Sequence, residues 1–310
     1  MAKPAKIEMN IKELYSNCTL CPRSCGINRT DGQKGRCGMT AELKVARAAL
    51  HMWEEPPISG KNGSGTVFFS GCPLSCVFCQ NSSISHEADG KYINSSRLAE
   101  IFLELQSDEA HNINLVTPTH FVPHIIEALD IAKAKGLSLP VLYNCGGYES
   151  VQTLSLLRGY IDIYLPDFKY WSEDIAAKYS LCRDYREKAS AALSEMIFQT
   201  GGPVFDENGI MKRGTVVRHL VLPGNSKDSM DVIEYLYKTY GNKIYISIMS
   251  QYTPMEGIKE LFPELARKLT KYEYDKVVNF AADIGVTQGF TQYGSAASES
   301  FIPKFDHTGV

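Results

Sequence analysis

The sequence predicts an α/β fold in which six strand-then-helix units build a parallel sheet. Three observations predict it. Short apolar runs rich in β-branched and aromatic residues recur six times after residue 65. A segment with helical period, or with a good helix start, follows each run. Gly, Pro and Ser stand where one element should stop and the next begin. Strands that alternate with helices imply parallel pairing through right-handed crossovers.

The first unit is "TVFFS" (66–70), followed by a cysteine-rich loop and a helix over 96–107 with Leu98, Ile101, Phe102 and Leu105 on one face. The second is "INLVT" (113–117), then a helix from Pro123, with Ile125, Ile126 and Leu129 inward and Gly136 as terminator. The third is "LPVLY" (139–143), with a helix from Ser150 to Arg158 closed by Gly159. "IDIYL" (161–165) precedes a long helical region from Ser172. "TVVRHLVL" (215–222) precedes a helix over 227–240, and "IYISIM" (244–249) precedes helices over 256–284. Six such units make either an open doubly wound sheet or an incomplete barrel. In both, function gathers at the carboxyl ends of the strands. The residues there are Cys72, Thr117, Thr119, Asn144, Cys145, Asp167, Lys169, Gln251 and Tyr252.

The chain has 310 residues, 22% of them charged and 44% hydrophobic, so it can bury one large core. Its formal charge of −3 gives no reason to expect nucleic acid as a partner. No apolar run approaches the roughly 18 residues of a membrane span, and the start "MAKPAKIEMN" is too polar for a secretory signal. These features predict a cytoplasmic protein whose thiols stay reduced. Seven of the nine cysteines lie between Cys18 and Cys79, and that clustering needs a cause.

"GCPLSCVFCQN" (71–81) places Cys72, Cys76 and Cys79 on one loop. Three thiolates suit a soft metal. A structural zinc site closes with four ligands, and a [4Fe–4S] cluster also normally takes four cysteines. Three leave one iron with an open position. This spacing, Cys-x3-Cys-x2-Cys with Phe78 before the last cysteine, resembles the signature of the radical S-adenosylmethionine (SAM) superfamily. The resemblance implies a partial (β/α)6 barrel with the cysteine loop after its first strand. It also implies a [4Fe–4S] cluster whose unique iron binds SAM and whose electron cleaves it, giving a 5′-deoxyadenosyl radical that abstracts hydrogen. "WEEPPISGKNGSGTVFFSGCPLSCVFCQN" and "CTLCPRSCGINRTDGQKGRCG" resemble the pyruvate formate-lyase activating enzyme-like branch. That likeness implies a protein or peptide substrate such as a glycyl-radical enzyme, and a flavodoxin- or ferredoxin-type electron donor.

Carried over by position, the likeness assigns Asp167, Lys169 and Arg218 to the SAM site. Asn144 and Cys145 stand where an Asp-Thr pair helps hold a cation near SAM, and the main chain near Phe78 meets the adenine. Where the family has Gly-Gly-Glu, this chain has "TPTH" (117–120), so Thr117 and Thr119 would offer uncharged acceptors to the SAM amino group. Other readings stand beside these. Arg218, inside an apolar strand, needs an anion, which either the SAM carboxylate or an internal partner such as Asp167 would supply. Asp167 and Lys169, two apart in extended chain, share a face and can pair with each other. His219 and Cys182 read as core residues, Cys145 as a small core residue, a metal neighbour or a radical relay, and His120 as a helix-entry hydrogen bond or else a proton donor or substrate contact.

Cys18, Cys21, Cys25 and Cys37 form a second set that can close a site, for zinc or for a second [4Fe–4S] cluster. The expected division is a cysteine-rich segment over 1–60, a barrel over 61–284 and an extended tail over 285–310. A non-catalytic iron–sulfur electron-transfer or metal-binding scaffold is the alternative function.

Overall fold

The computed structural model describes residues 11–255, 257–292 and 303–310. The first ten residues of the N-terminal segment, Glu256 and residues 293–302 of the tail lie outside the described residues. The strands are β1 (Lys44–His51), β2 (Ser64–Phe69), β3 (Lys91–Tyr92), β4 (Ile113–Val116), β5 (Val141–Cys145), β6 (Ile163–Pro166), β7 (Val204–Phe205), β8 (Met211–Leu220), β9 (Tyr245–Met249) and β10 (Gly289–Thr291). They form one sheet in the order β10-β9-β8-β6-β5-β4-β2-β1-β3, with β7 on β8. From β2 through β10 the main path pairs in parallel, and β1 and β3 add antiparallel strands at one edge. The sheet does not close on itself, as a partial barrel requires. The predicted α/β class holds.

Parallel strands covered on both faces read as continuous apolar runs, which is why the six were visible. All six residues of β2 are buried, as are all of β5 and β6. One core lies between β2, β4 and β5 and the helices Ser95–Ser107 and Val122–Ala134, and includes Phe69, Leu98, Phe102, Leu115 and Leu129. Each fully buried side chain of this size contributes roughly 1.5–3 kcal/mol. A second core, with Phe168, Tyr185, Val217 and Ile246, packs the helices Tyr185–Thr200, Ser226–Tyr240 and Lys271–Asp283 onto β8 and β9. Asn94, Ser150 and Ser172 cap three helices through their side chains, each satisfying a backbone N–H that a helix start leaves free.

The short strands β3 and β7 were not expected, and four larger differences from the sequence reading stand beside them. β1 was hidden because "KVARAALH" is rich in alanine, a weak strand former that pairs here only because β2 offers an edge. β8 begins at Met211 rather than 215, after an Asn208-Gly209 turn that joins it to β7. The long helical region from Ser172 is two helices, Glu173–Ser180 and Tyr185–Thr200, broken at Leu181 with φ 50°. The tail contributes β10 beside β9, and its end returns to β1, where the Ala48 N–H donates to the Thr308 carbonyl at 2.9 Å.

Candidate active site

The loop after β2 is held on both sides. Gly71, at φ 82°, turns the chain out of the strand, and a Cβ there would stand 2.5 Å from the Cys37 carbonyl oxygen. The Cys72 N–H donates to that same oxygen at 3.3 Å, and Val77 N–H donates to the Tyr179 carbonyl at 2.9 Å. Cys76 is buried; Cys72 and Cys79 are partly exposed. Two hydroxyls approach the sulfurs. Ser180 Oγ donates to Cys76 Sγ at 3.0 Å, itself paired with Tyr170 Oη at 2.7 Å, and Ser85 Oγ lies 3.1 Å from Cys79 Sγ. Burial pushes the Cys72 thiol well up, and the neighbouring Cys76 and Cys79 push it further. Cys79 is raised by burial and by Cys76. Such thiols ionise readily only when a metal cation compensates them.

Beside the loop lies an ionic network. Arg218 Nε donates to Asp167 Oδ1 at 3.0 Å, one terminal nitrogen donates to Glu54 Oε2 at 3.1 Å, and the other to Asn144 Oδ1 at 2.6 Å. Lys169 Nζ donates to Asp167 Oδ2 at 2.6 Å. Burial works against ionisation of Asp167, but Lys169 and Arg218 outweigh it and hold the carboxyl below its ordinary range. Arg218 and Lys169 are raised in turn: desolvation works against both, but Asp167 together with Glu54 and Glu55 at Arg218, and with Cys76 and Cys79 at Lys169, outweighs it. A Cβ on Gly146 would meet Leu74 Cδ1 at 2.7 Å and Lys169 Cε at 3.6 Å, so the cysteine loop, the end of β5 and Lys169 converge on one spot. Gln80, the residue after Cys79, donates to the Gln251 carbonyl at 2.8 Å. The loop is thus tied across the strand ends, with Asn144, Asp167, Lys169 and Arg218 gathered beside it.

The family model described as the radical SAM superfamily matches residues 66–236, more than half of the chain and the whole stretch from the cysteine loop to β8. The chain belongs to the radical SAM superfamily. Membership brings a [4Fe–4S] cluster and SAM with it. A curated relative, the uncharacterized protein MJ0674 of Methanocaldococcus jannaschii, is 28% identical over 292 residues, 90% of this chain and 79% of that protein. Among solved structures, SuiB of Streptococcus suis bound to S-adenosylmethionine matches with TM-score 0.48 and 12% identity, over 74% of this chain and 52% of SuiB. The maturase HydG of Carboxydothermus hydrogenoformans matches with TM-score 0.44 and 12% identity, over 76% and 59%. This radical SAM chain therefore spans about half the length of the SuiB chain it matches.

The donor set fits a radical SAM cluster: three free thiols on one loop, hydroxyls at two sulfurs and an ammonium nearby. Among the described residues, no three His, Cys, Asp or Glu groups converge on a single ion. A cube takes each thiolate at a different iron, so its ligands stand apart. When bound, the cluster supplies the electron and SAM the radical source.

Other predicted residues fall as follows. Thr117 is half-buried at φ 58°, an uncommon conformation for a β-branched residue, with its N–H on the Asn144 carbonyl at 2.8 Å. Thr119 is buried, and its hydroxyl donates to Glu149 Oε1 at 2.8 Å. Phe78 packs its ring between Tyr170 and Tyr252. His219 and His120 are buried and bond the carbonyls of Phe168 and Ser70; burial lowers them to about 4 and about 3. Cys145 and Cys182 are buried.

Sequence reasoning missed Glu54 and Glu149. Glu54 Oε1 accepts from Asn114 and Asn144 Nδ2 at 3.0 and 3.2 Å while its other oxygen meets Arg218. Two adjacent acids in the Pro-rich connector "WEEPP" were the available signal. Glu149 is fully buried, accepts from Thr119 and from Tyr143 Oη at 2.9 Å, and is raised by burial to about 7. Next to Arg218, a cavity of about 370 Å³ is lined by Trp53, Glu54, Glu55, Ser247, Gln251 and Phe290, among others. Glu55 is buried, and its Oε2 has no hydrogen-bond partner among the described residues.

Proposed function

We propose that this chain cleaves SAM reductively and uses the resulting radical to take a hydrogen atom from a peptide or protein, in the manner of the pyruvate formate-lyase activating enzyme-like branch. The observation that carries this is the three-thiol loop beside the Asp167–Lys169–Arg218 network. Cys72, Cys76 and Cys79 hold the cluster. Arg218, Lys169 and Asn144 orient the polar end of SAM, and Asp167 fixes both cations in place. Thr117 offers its hydroxyl to the SAM amino group, Thr119 acts through Glu149, and the backbone at Phe78 meets the adenine. The cavity beside Arg218 has a size suited to one substrate side chain, and the unpartnered Glu55 oxygen offers an acceptor to a substrate N–H.

As functional parts, residues 61–284 carry the barrel chemistry, the described parts of the tail lie against β9 and β1, and 1–60 carry four thiols that make a second metal site, for zinc or a second [4Fe–4S] cluster. A flavodoxin- or ferredoxin-type protein is the electron donor in this reading. The test is to mix reduced protein, SAM and candidate glycyl-radical enzymes without oxygen. A doublet glycyl radical signal by electron paramagnetic resonance is the expected result. Formation of 5′-deoxyadenosine with no radical signal across the panel would reject the glycyl target.

A further inference from the structure

The second cysteine set is gathered and buried. Cys18, Cys21 and Cys37 are each under one-tenth exposed, and Cys25 is half-buried. Cys37 Sγ and Cys25 Sγ lie 3.4 and 3.8 Å from the point where a Cβ on Gly35 would stand, so Gly35 leaves the room both sulfurs face. The Arg36 N–H donates to Cys25 Sγ at 3.4 Å.

Against Cys18 sits Arg29, the largest fully buried side chain among the described residues, at 1% exposure. Its guanidinium donates to the carbonyls of Thr40 (3.2 and 2.6 Å) and His120 (2.8 Å) and to Cys18 Sγ at 3.7 Å, and it lies 4.5 Å over the Tyr15 ring. Among the described residues no carboxylate pairs with it. Carbonyls and a ring satisfy its N–H groups but bring no net charge. A buried cation without an anion is expensive, and thiolates around a metal centre would supply that anion.

We propose that Cys18, Cys21, Cys25 and Cys37 hold a second [4Fe–4S] cluster, with buried Arg29 as its counter-charge. The proposal rests on the reading of these thiols as a metal site and names the metal. One observation favours the cluster over one zinc ion: among the described residues no three of these thiols converge on a single ion, and a cube takes each thiolate at a different iron, so its ligands stand apart. Four ligands close all four irons, so this cluster has no place for SAM.

It is also joined to the catalytic loop. The carbonyl of its ligand Cys37 receives the Cys72 N–H. Arg23, between Cys21 and Cys25, donates to the carbonyls of Pro73 (3.0 Å), Leu181 (2.7 Å) and Ser180 (3.2 Å), and Ser180 is the residue whose hydroxyl reaches Cys76 Sγ.

The test uses the full chain reconstituted with iron and sulfide without oxygen. Wild type should hold about eight irons per chain, and the triple variant Cys72→Ala, Cys76→Ala, Cys79→Ala about four, brown and paramagnetic when reduced. A triple variant that takes one zinc and no cluster overturns the proposal but leaves a metal site. One that takes neither metal overturns both. A readout on unaltered protein guards against misfolding of the variant: adding SAM should change only about half of the reduced cluster signal, and a change in all of it counts against a second cluster. Arg29→Gln should lower the midpoint potential of the SAM-insensitive signal, and Arg29→Lys should restore it. An unmoved potential overturns the role given to Arg29.

Discussion

Replacing Glu54 by Gln tests the network that anchors Arg218. The Glu54 side chain is 8% exposed, and its two oxygens serve different partners: Oε1 takes N–H groups from Asn114 and Asn144, and Oε2 takes one from Arg218. Glutamine keeps one oxygen and turns the other into a donor. Either its NH2 faces the guanidinium, or it faces two asparagine NH2 groups; no rotamer satisfies both sides. Stranding a buried charge costs roughly 3–5 kcal/mol. Asp167 stays on Arg218 and softens that loss, while an unmade buried bond costs about 1–3 kcal/mol. The expected destabilisation is about 3 kcal/mol, read from the urea midpoint of cluster-free, reduced protein at constant slope. The same change at Glu234, which pairs with Lys238 on the surface, should leave the midpoint unmoved. A loss below about 1 kcal/mol at Glu54 would refute the claim that Arg218 depends on it.

Three further outcomes follow from the same geometry. Glu149 binds its proton more tightly folded than unfolded, since burial lifts it from 4.5 to about 7. Its contribution is therefore full below pH 4.5 and is lost as pH rises through about 7, roughly 3 kcal/mol in all; Glu149→Gln should flatten that segment of the stability–pH curve. Ser180→Ala removes the hydroxyl from Cys76 Sγ and should lower the midpoint potential of the radical cluster in a redox titration, since hydrogen bonds favour the more negative reduced state. Gly71→Ala sets a Cβ against the Cys37 carbonyl and Met39 at a positive φ, and should reduce iron retained by the Cys72–Cys79 loop, measured per folded chain.

The six parallel strands were legible because strands buried on both faces carry unbroken apolar runs, and the helices because Leu98, Phe102, Ile125 and Leu129 keep helical period. The three-thiol loop was legible because its cysteine spacing is local. β1 and β10 were not, because each owes its strand to an edge offered by a distant segment. Arg218 showed itself as a charge inside an apolar strand, yet its partner Glu54 lies 164 positions away, and no local pattern joins them. Arg29 was invisible for the same reason: on the sequence it is one charge in a polar turn, and only the fold buries it, against Cys18 Sγ.

The central claim is that Cys72, Cys76 and Cys79 hold a cluster with one iron open to SAM. Its most direct test is production of 5′-deoxyadenosine by reconstituted, dithionite-reduced protein given SAM. The account predicts that wild type forms it and that Cys76→Ser does not. Iron-replete wild type that leaves SAM intact, or a Cys76→Ser protein that cleaves it at the wild-type rate, would contradict the account.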